Sequence, residues 1–184
     1  MQRIALESGE KEIILFKSEK PETVKIRIQK LSESKYGIVG VRLIRTDGAI
    51  APTPELERRI EFVGDSITCG YGVEGTLEGA FTTWEENPLK AYAVRSADYL
   101  LADYQLVARS GIGIISNWIE PSRHTPDIID RMPALYEYTD LHGQRILEQK
   151  ACSAGKTGVK NPIENDEGDF CPHLVVIHIG INDA

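Results

Sequence analysis

The sequence is short of several things at once. Its 184 residues hold three cysteines, two tryptophans, two methionines and four histidines. Cys69, Cys152 and Cys171 are too few and too scattered for a disulfide framework, and their odd number favours reduced thiols. Long apolar runs are missing as well: no stretch approaches the roughly 18 consecutive apolar residues of a membrane helix. Glu7, Glu10, Lys11 and Glu12 interrupt the N-terminus where an export signal needs an apolar core. With Met1 as the native start the expectation is a cytoplasmic chain; the residues themselves name no compartment. Basic charge is also in deficit. The formal net charge is -7, and residues 58–184 hold 11 Lys/Arg against 19 Asp/Glu. This argues against nucleic acid or an anionic membrane as partner.

What is present is a globular composition, 41% apolar and 27% charged, long enough for one full core or a core with a small companion. The first fifty residues have a period near two. EIILFK (12–17), TVKIRIQ (23–29) and VGVRLIR (39–45) are short β-branched runs separated by turn compositions, SEKPE and SESKYG, and they predict part of an antiparallel sheet. Three or four such strands stand at the lower limit of independent stability. APTPELE (51–57) is a Pro-containing connector.

From residue 58 the pattern changes. IEFV (60–63) predicts a short strand, and NPLKAYAVRSADYLLAD predicts a helix capped by Asn87, with Pro88 in its first turn. Its apolar face would carry Leu89, Tyr92, Ala93, Ala97, Leu100 and Leu101. YQLVAR (104–109) is a second strand candidate, and DIIDRMPALYEY a further helical region. HLVVIHI (173–179) is a continuous β-branched run of the kind that predicts a central parallel strand buried on both faces. Strands alternating with helices predict an α/β domain with a parallel sheet.

Each strand candidate runs into a loop with glycine beside a polar group: Gly64-Asp65-Ser66, Ser110-Gly111 and Gly180-Ile181-Asn182. Any one alone is an ordinary strand-to-helix turn. In an open parallel sheet, however, all three loops share one edge, the usual place for a ligand site. Ser66 could act there as a nucleophile once a base takes its proton. The Gly111 N–H, with no side chain in front of it, and the Asn182 amide could face a developing oxyanion. That is an acyl-transfer constellation, and it calls for no metal or cofactor.

In order and position these blocks resemble the SGNH or GDSL hydrolases: GDSIT the first block, SGIG the second, GIND the third. IEFVGDSITCGYG, FTTWEENPLKAYA, MPALYEYT and PHLVVIHIGIND together are similar to the second family of carbohydrate esterases, acetylxylan esterases in which a β-sandwich precedes the hydrolase domain. VKIRIQKLSESKYGIVGVRLIRTDG is similar to the late part of that sandwich. The resemblance implies a three-layer α/β hydrolase domain with a flavodoxin-like parallel sheet over residues 58–184, a linker at 51–57, and a partial jelly-roll-like sandwich at 1–50. It implies Ser66 as nucleophile and an oxyanion hole made by the Ser66 N–H, Gly111 and Asn182, with Asp65 supporting the turn. It also implies the partner, acetylated carbohydrate of the xylan or glucomannan type or another small acyl ester. A noncatalytic carbohydrate-binding or structural protein that keeps the site's shape is the alternative.

Other patterns are weaker. SAGKTG (153–158) has Lys150 where a phosphate loop needs its first glycine, and Gly111 and Gly113 begin a dinucleotide pattern that has Ser116 at its third glycine. Cys152, Cys171 and His173 lack the paired spacing of a zinc site. His178 reads as a core histidine. Trp84 and Trp118 follow motif blocks and could line a sugar subsite.

The family's fourth block, Asp-x-x-His, supplies the general base, and no histidine fits it. Three residues before His124, His142, His173 and His178 stand Pro121, Thr139, Phe170 and Val175. The expectation is therefore an internal fragment of a longer esterase, or a chain that pairs with a complementary segment carrying the histidine.

Overall fold

A computed structural model describes residues 2–76, 78–136 and 170–183. Its centre is a three-stranded, all-parallel sheet of β1 (Arg58–Gly64), β2 (Ala102–Ala108) and β3 (Leu174–His178), in the order β2-β1-β3. The register pairs Gly64 with both Ala108 and His178, so the three strands end level with one another. No helix among the described residues is long and apolar enough to cross a membrane.

β1 is the central strand because both of its faces are covered. Ile60 and Phe62 point to one side and pack with Ala93, Ala97 and Ala102. Val63 points to the other and packs with Ile112 and Met132. The first group belongs to the helix α2 (Tyr92–Tyr99) and the start of β2; Met132 opens the helix α3 (Met132–Tyr136). Helices thus lie against both sheet faces, the three-layer arrangement that parallel sheets require. Glu61 is buried in the middle of this strand, and its carboxylate accepts a hydrogen bond from Tyr136 Oη at 2.8 Å. An unpaired carboxylate there would cost several kcal/mol, of order 2–7 for a polar group left without a partner.

The helix expected after Asn87 is split. Asn87 Oδ1 accepts from Leu89 N–H at 3.0 Å and caps a 3-10 turn, Pro88–Lys90, before α2 begins at Tyr92. Ala93, Val94 and Ala97 are buried, whereas Leu100 and Leu101 lie beyond the helix and are exposed. Small residues win the core face because α2 sits close upon the sheet, with Tyr92 edge-on to Phe62 at 6.0 Å. In the DIIDRMPALYEY region only Met132–Tyr136 is helical among the described residues; Asp127 pairs instead with Asn117 in an isolated antiparallel bridge.

Two further expectations are corrected. β3 is an edge strand of the described sheet, with Leu174, Val175 and Ile177 exposed, and His178 is exposed rather than a core residue. A continuous apolar run marks a strand meant for burial on both faces but does not say where in the sheet order it lies. Residues 12–17, 23–29 and 39–45 form no strands; the only regular element in 2–57 is a 3-10 turn at Ser34–Tyr36. Ile14, Ile28, Val41 and Leu43 are correspondingly exposed. Strand pairing yields little unless a second layer buries the apolar face it creates. His142, Cys152 and the SAGKTG stretch lie outside the described residues.

Candidate active site

Ser66 is the first residue of α1 (Ser66–Cys69), a single helical turn directly after β1. Asp65 is fully buried and caps that turn, its Oδ1 accepting from Ile67 N–H at 3.0 Å. Gly64 is required for the chain to turn so sharply: a Cβ there would overlap the Thr68 side chain and lie 3.0 Å from the His178 carbonyl. Thr68 Oγ1 is in turn 3.1 Å from Tyr92 Oη, tying the turn to α2. The result is a half-buried Ser66 whose hydroxyl no described residue engages. It stands at the C-terminal end of the central strand, where a nucleophile has the most neighbours.

The loop after β2 approaches from one side. Arg109 N–H still donates to the Gly64 carbonyl at 3.4 Å, and Gly111 then turns the chain with φ +81°, a left-handed conformation that favours glycine. Its carbonyl accepts from Trp118 N–H at 2.7 Å, whereas its own N–H has no acceptor among the described residues. The loop after β3 approaches from the other side. Asn182 is buried, and its Nδ2 donates to the Ile112 carbonyl at 2.8 Å, leaving one further N–H on the same nitrogen.

Asp183 locks the two loops together. Its Oδ1 accepts from Ile115 N–H at 2.7 Å and Ser116 N–H at 2.9 Å. Burial pushes this carboxyl upward, but the N–H groups of Ser116, Ile115 and Ile114 outweigh it and hold it below its ordinary value. Asp183 escaped notice in the sequence, although an acid beside Asn182 in a strand-end loop is the signal that could have drawn attention to it.

Ser66, Gly111 and Asn182 therefore sit on three loops of one sheet edge, within two to four residues of strand ends that are aligned. No described histidine hydrogen-bonds the Ser66 hydroxyl. His173 is at the opposite edge, where its backbone N–H donates to the Arg59 carbonyl at 2.8 Å. β1 is seven residues long, so the two edges are about 20 Å apart at ~3.3 Å per residue. His178 lies edge-on to Tyr92, with ring centroids 5.3 Å apart. Trp84 and Trp118 are both exposed by about half, at 52% and 54%, and the Trp118 Cβ is 3.7 Å from where a Gly111 Cβ would be. The Arg3 guanidinium lies over the Trp84 ring, 4.9 Å from its centroid.

No family model matches the chain. Individual proteins do. The cellulase/esterase CelE of Acetivibrio thermocellus is 37% identical over 134 residues, covering 72% of this chain and 13% of its own length. An acetylxylan esterase / glucomannan deacetylase of Cellvibrio japonicus is 31% identical over 166 residues, covering 86% of this chain and 39% of its own. Among solved structures, a carbohydrate esterase family 2 enzyme with a carbohydrate-binding domain, from Myceliophthora fergusii, superposes with a TM-score of 0.56 at 36% identity over 76% of this chain and 37% of that one. A family two carbohydrate esterase from Clostridium thermocellum in complex with cellohexaose gives a TM-score of 0.51 at 36% identity over 73% and 34%. The chain thus spans well under half the length of these relatives.

Proposed function

Starting from the chain's kinship with the SGNH-type carbohydrate esterases of family 2, whose α/β fold it shares, we propose that it is part of a serine esterase removing O-acetyl groups from xylan or glucomannan. Ser66 Oγ attacks the acetyl carbonyl carbon while a histidine base takes its proton. The carbonyl oxygen, now an oxyanion, is held by the N–H groups of Ser66 and Gly111 and by Asn182 Nδ2. Collapse of this intermediate expels the sugar hydroxyl, which receives the proton from the histidine, and leaves an acetyl-Ser66. Water, deprotonated by the same histidine, then releases acetate. The histidine belongs to an Asp-x-x-His block that residues 1–184 do not contain. Trp84 and Trp118 offer apolar ring surface of the kind a sugar ring stacks upon.

The observation that carries this reading is a serine hydroxyl on an Asp-capped turn at the end of the central strand that no described residue engages, on the same sheet edge as a glycine N–H without acceptor among the described residues and a buried asparagine amide. The test is acetate release from acetylated xylan and acetylated glucomannan by the full-length protein, in the presence of a chelator. The expected result is release that the chelator leaves unchanged. Loss of release with the chelator would point to a metal-dependent deacetylase. Because a structural neighbour was solved with cellohexaose, a noncatalytic binding role is the second reading. Saturable cello-oligosaccharide binding with no acetate release would select it.

A further inference from the structure

The Ser110-Gly111 turn is held from behind by a carboxylate from far along the chain. Glu33 Oε2 accepts the Ser110 N–H at 2.6 Å, across a separation of 77 residues, and Glu33 is 8% exposed. The Glu33 N–H donates to Glu86 Oε2 at 3.4 Å, and Glu86 is 1% exposed. One oxygen of each carboxyl group, Glu33 Oε1 and Glu86 Oε1, is buried with no hydrogen-bond partner among the described residues. Lys35 Nζ lies 3.5 Å from Glu33 Oε1, and Arg3 Nη2 donates to the Glu86 backbone carbonyl at 2.8 Å. The Lys30 ammonium donates to the carbonyls of Glu33 and Gly37. The Tyr36 hydroxyl and the Cys69 thiol on α1 also feel both carboxylates. Burial, then the charges of Glu33 and Glu86, keep that thiol protonated.

Two buried carboxylates side by side are expensive to ionise together. A carboxylate oxygen of Glu33 and one of Glu86 lie within 4.8 Å of each other, and one proton on the pair removes the second charge and turns an orphan oxygen into a donor. Burial, with the Glu33 charge next, accordingly pushes Glu86 up to about 8. We propose that Glu33 is a positioning residue for the candidate oxyanion hole: its carboxylate fixes the Ser110-Gly111 turn, and it does so while the facing Glu86 carries the proton that the two share. This rests on the reading of Gly111 N–H as an oxyanion donor. Above that pH the second charge forces the carboxylates apart, and the Ser110 N–H loses its acceptor.

The test reads the turn and the reaction separately in the full-length protein. Hydrogen exchange of the Ser110 amide, expressed as a protection factor, should fall about tenfold or more in Glu33→Ala. Glu33→Gln, which keeps an acceptor oxygen, should restore it. In the wild type protection should drop as pH rises past about 8; in Glu86→Gln, which cannot ionise, it should stay level. On acetyl esters, Glu33→Ala should lower kcat by roughly 10–100-fold, part of what an oxyanion donor carries, with KM little changed and Glu33→Gln recovering most of it. Ser110 protection that is the same in Glu33→Ala as in the wild type overturns the proposal. So does Zn²⁺ added alone, if it raises the Tm of the wild type but not of Glu86→Gln, since a cation rather than a proton would then join the pair. If the exchange results follow but no ester is cleaved, only the esterase reading fails.

Discussion

Ser66 depends on what its immediate neighbours lack or bury. Gly64 has no Cβ, so the chain can pass between Thr68 and the His178 carbonyl; Gly64→Ala should cost about 1–3 kcal/mol, the range for forcing extra atoms into packed space, measurable as a lower midpoint in denaturant. Asp65 sits at the N-cap, where a carboxylate both accepts an orphan N–H and suits the positive end of the turn. Glu86 works in the opposite direction. Its folded-state pKa, about 8, is raised above the ordinary value of 4.5, so the folded protein holds a proton that the unfolded chain has released. Stability from this group is fully present below about pH 4.5 and is lost progressively as pH rises towards about 8. Thermal unfolding across that window should therefore show a falling Tm in the wild type that is flatter in Glu86→Gln. Parallel curves for the two proteins would contradict the shared-proton account.

At the scale of elements, the site is a matter of loops fastened to one another. Asp183 accepts two N–H groups from the loop after β2, and Asn182 binds the Ile112 carbonyl of the same loop. Removing the Asp183 carboxylate strands the part-buried Ser116 N–H, while water can take over the exposed Ile115 N–H, a loss of about 1–3 kcal/mol by the usual cost of one unsatisfied group. Asp183→Ala should lower Tm and increase exchange at the Ile115 and Ser116 amides before it affects β1. Much of this element layer was legible in the residues. A run such as IEFV ending in Gly-Asp-Ser announces both the strand and its turn, and YQLVAR before SGIG does the same, because apolar β-branched runs and glycine act locally. What lay beyond reach was non-local. HLVVIHI carries the same apolar signal whether it ends up central or at an edge, and Glu33 meets Ser110 and Glu86 only once the chain has folded over 77 and 53 residues. The alternation in VKIRI promised strands, but strands form only where a second layer covers them.

For the whole molecule, the sheet has its best-buried strand in the middle and an apolar edge at β3, with Leu174, Val175 and Ile177 exposed. The extended N-terminal segment reaches across to the α/β core at separate points. Arg3 pairs with Glu74 and donates to the Glu86 carbonyl at 2.8 Å, and Leu56 N–H donates to Asp103 Oδ2 at 2.7 Å. Residues 1–184 alone contain the proposed nucleophile and oxyanion donors but no Asp-x-x-His. Without a base, the oxyanion hole and binding still give some catalysis, of order 10³–10⁴ over water in the protease case. The isolated chain should accordingly hydrolyse p-nitrophenyl acetate only slowly. Fast turnover abolished by changing one of His124, His142, His173 or His178 would assign the base to this chain instead.

The most direct measurement is the rate of acetate release from acetylated xylan by the full-length protein carrying Ser66→Ala, with circular dichroism confirming that the fold is kept. A nucleophile acting as a unit with its base predicts a fall of several orders of magnitude, on the order of 10⁶ in the best-studied serine hydrolases, with secondary structure unchanged. Release at the wild-type rate by the folded Ser66→Ala protein would contradict the assignment of Ser66 as nucleophile.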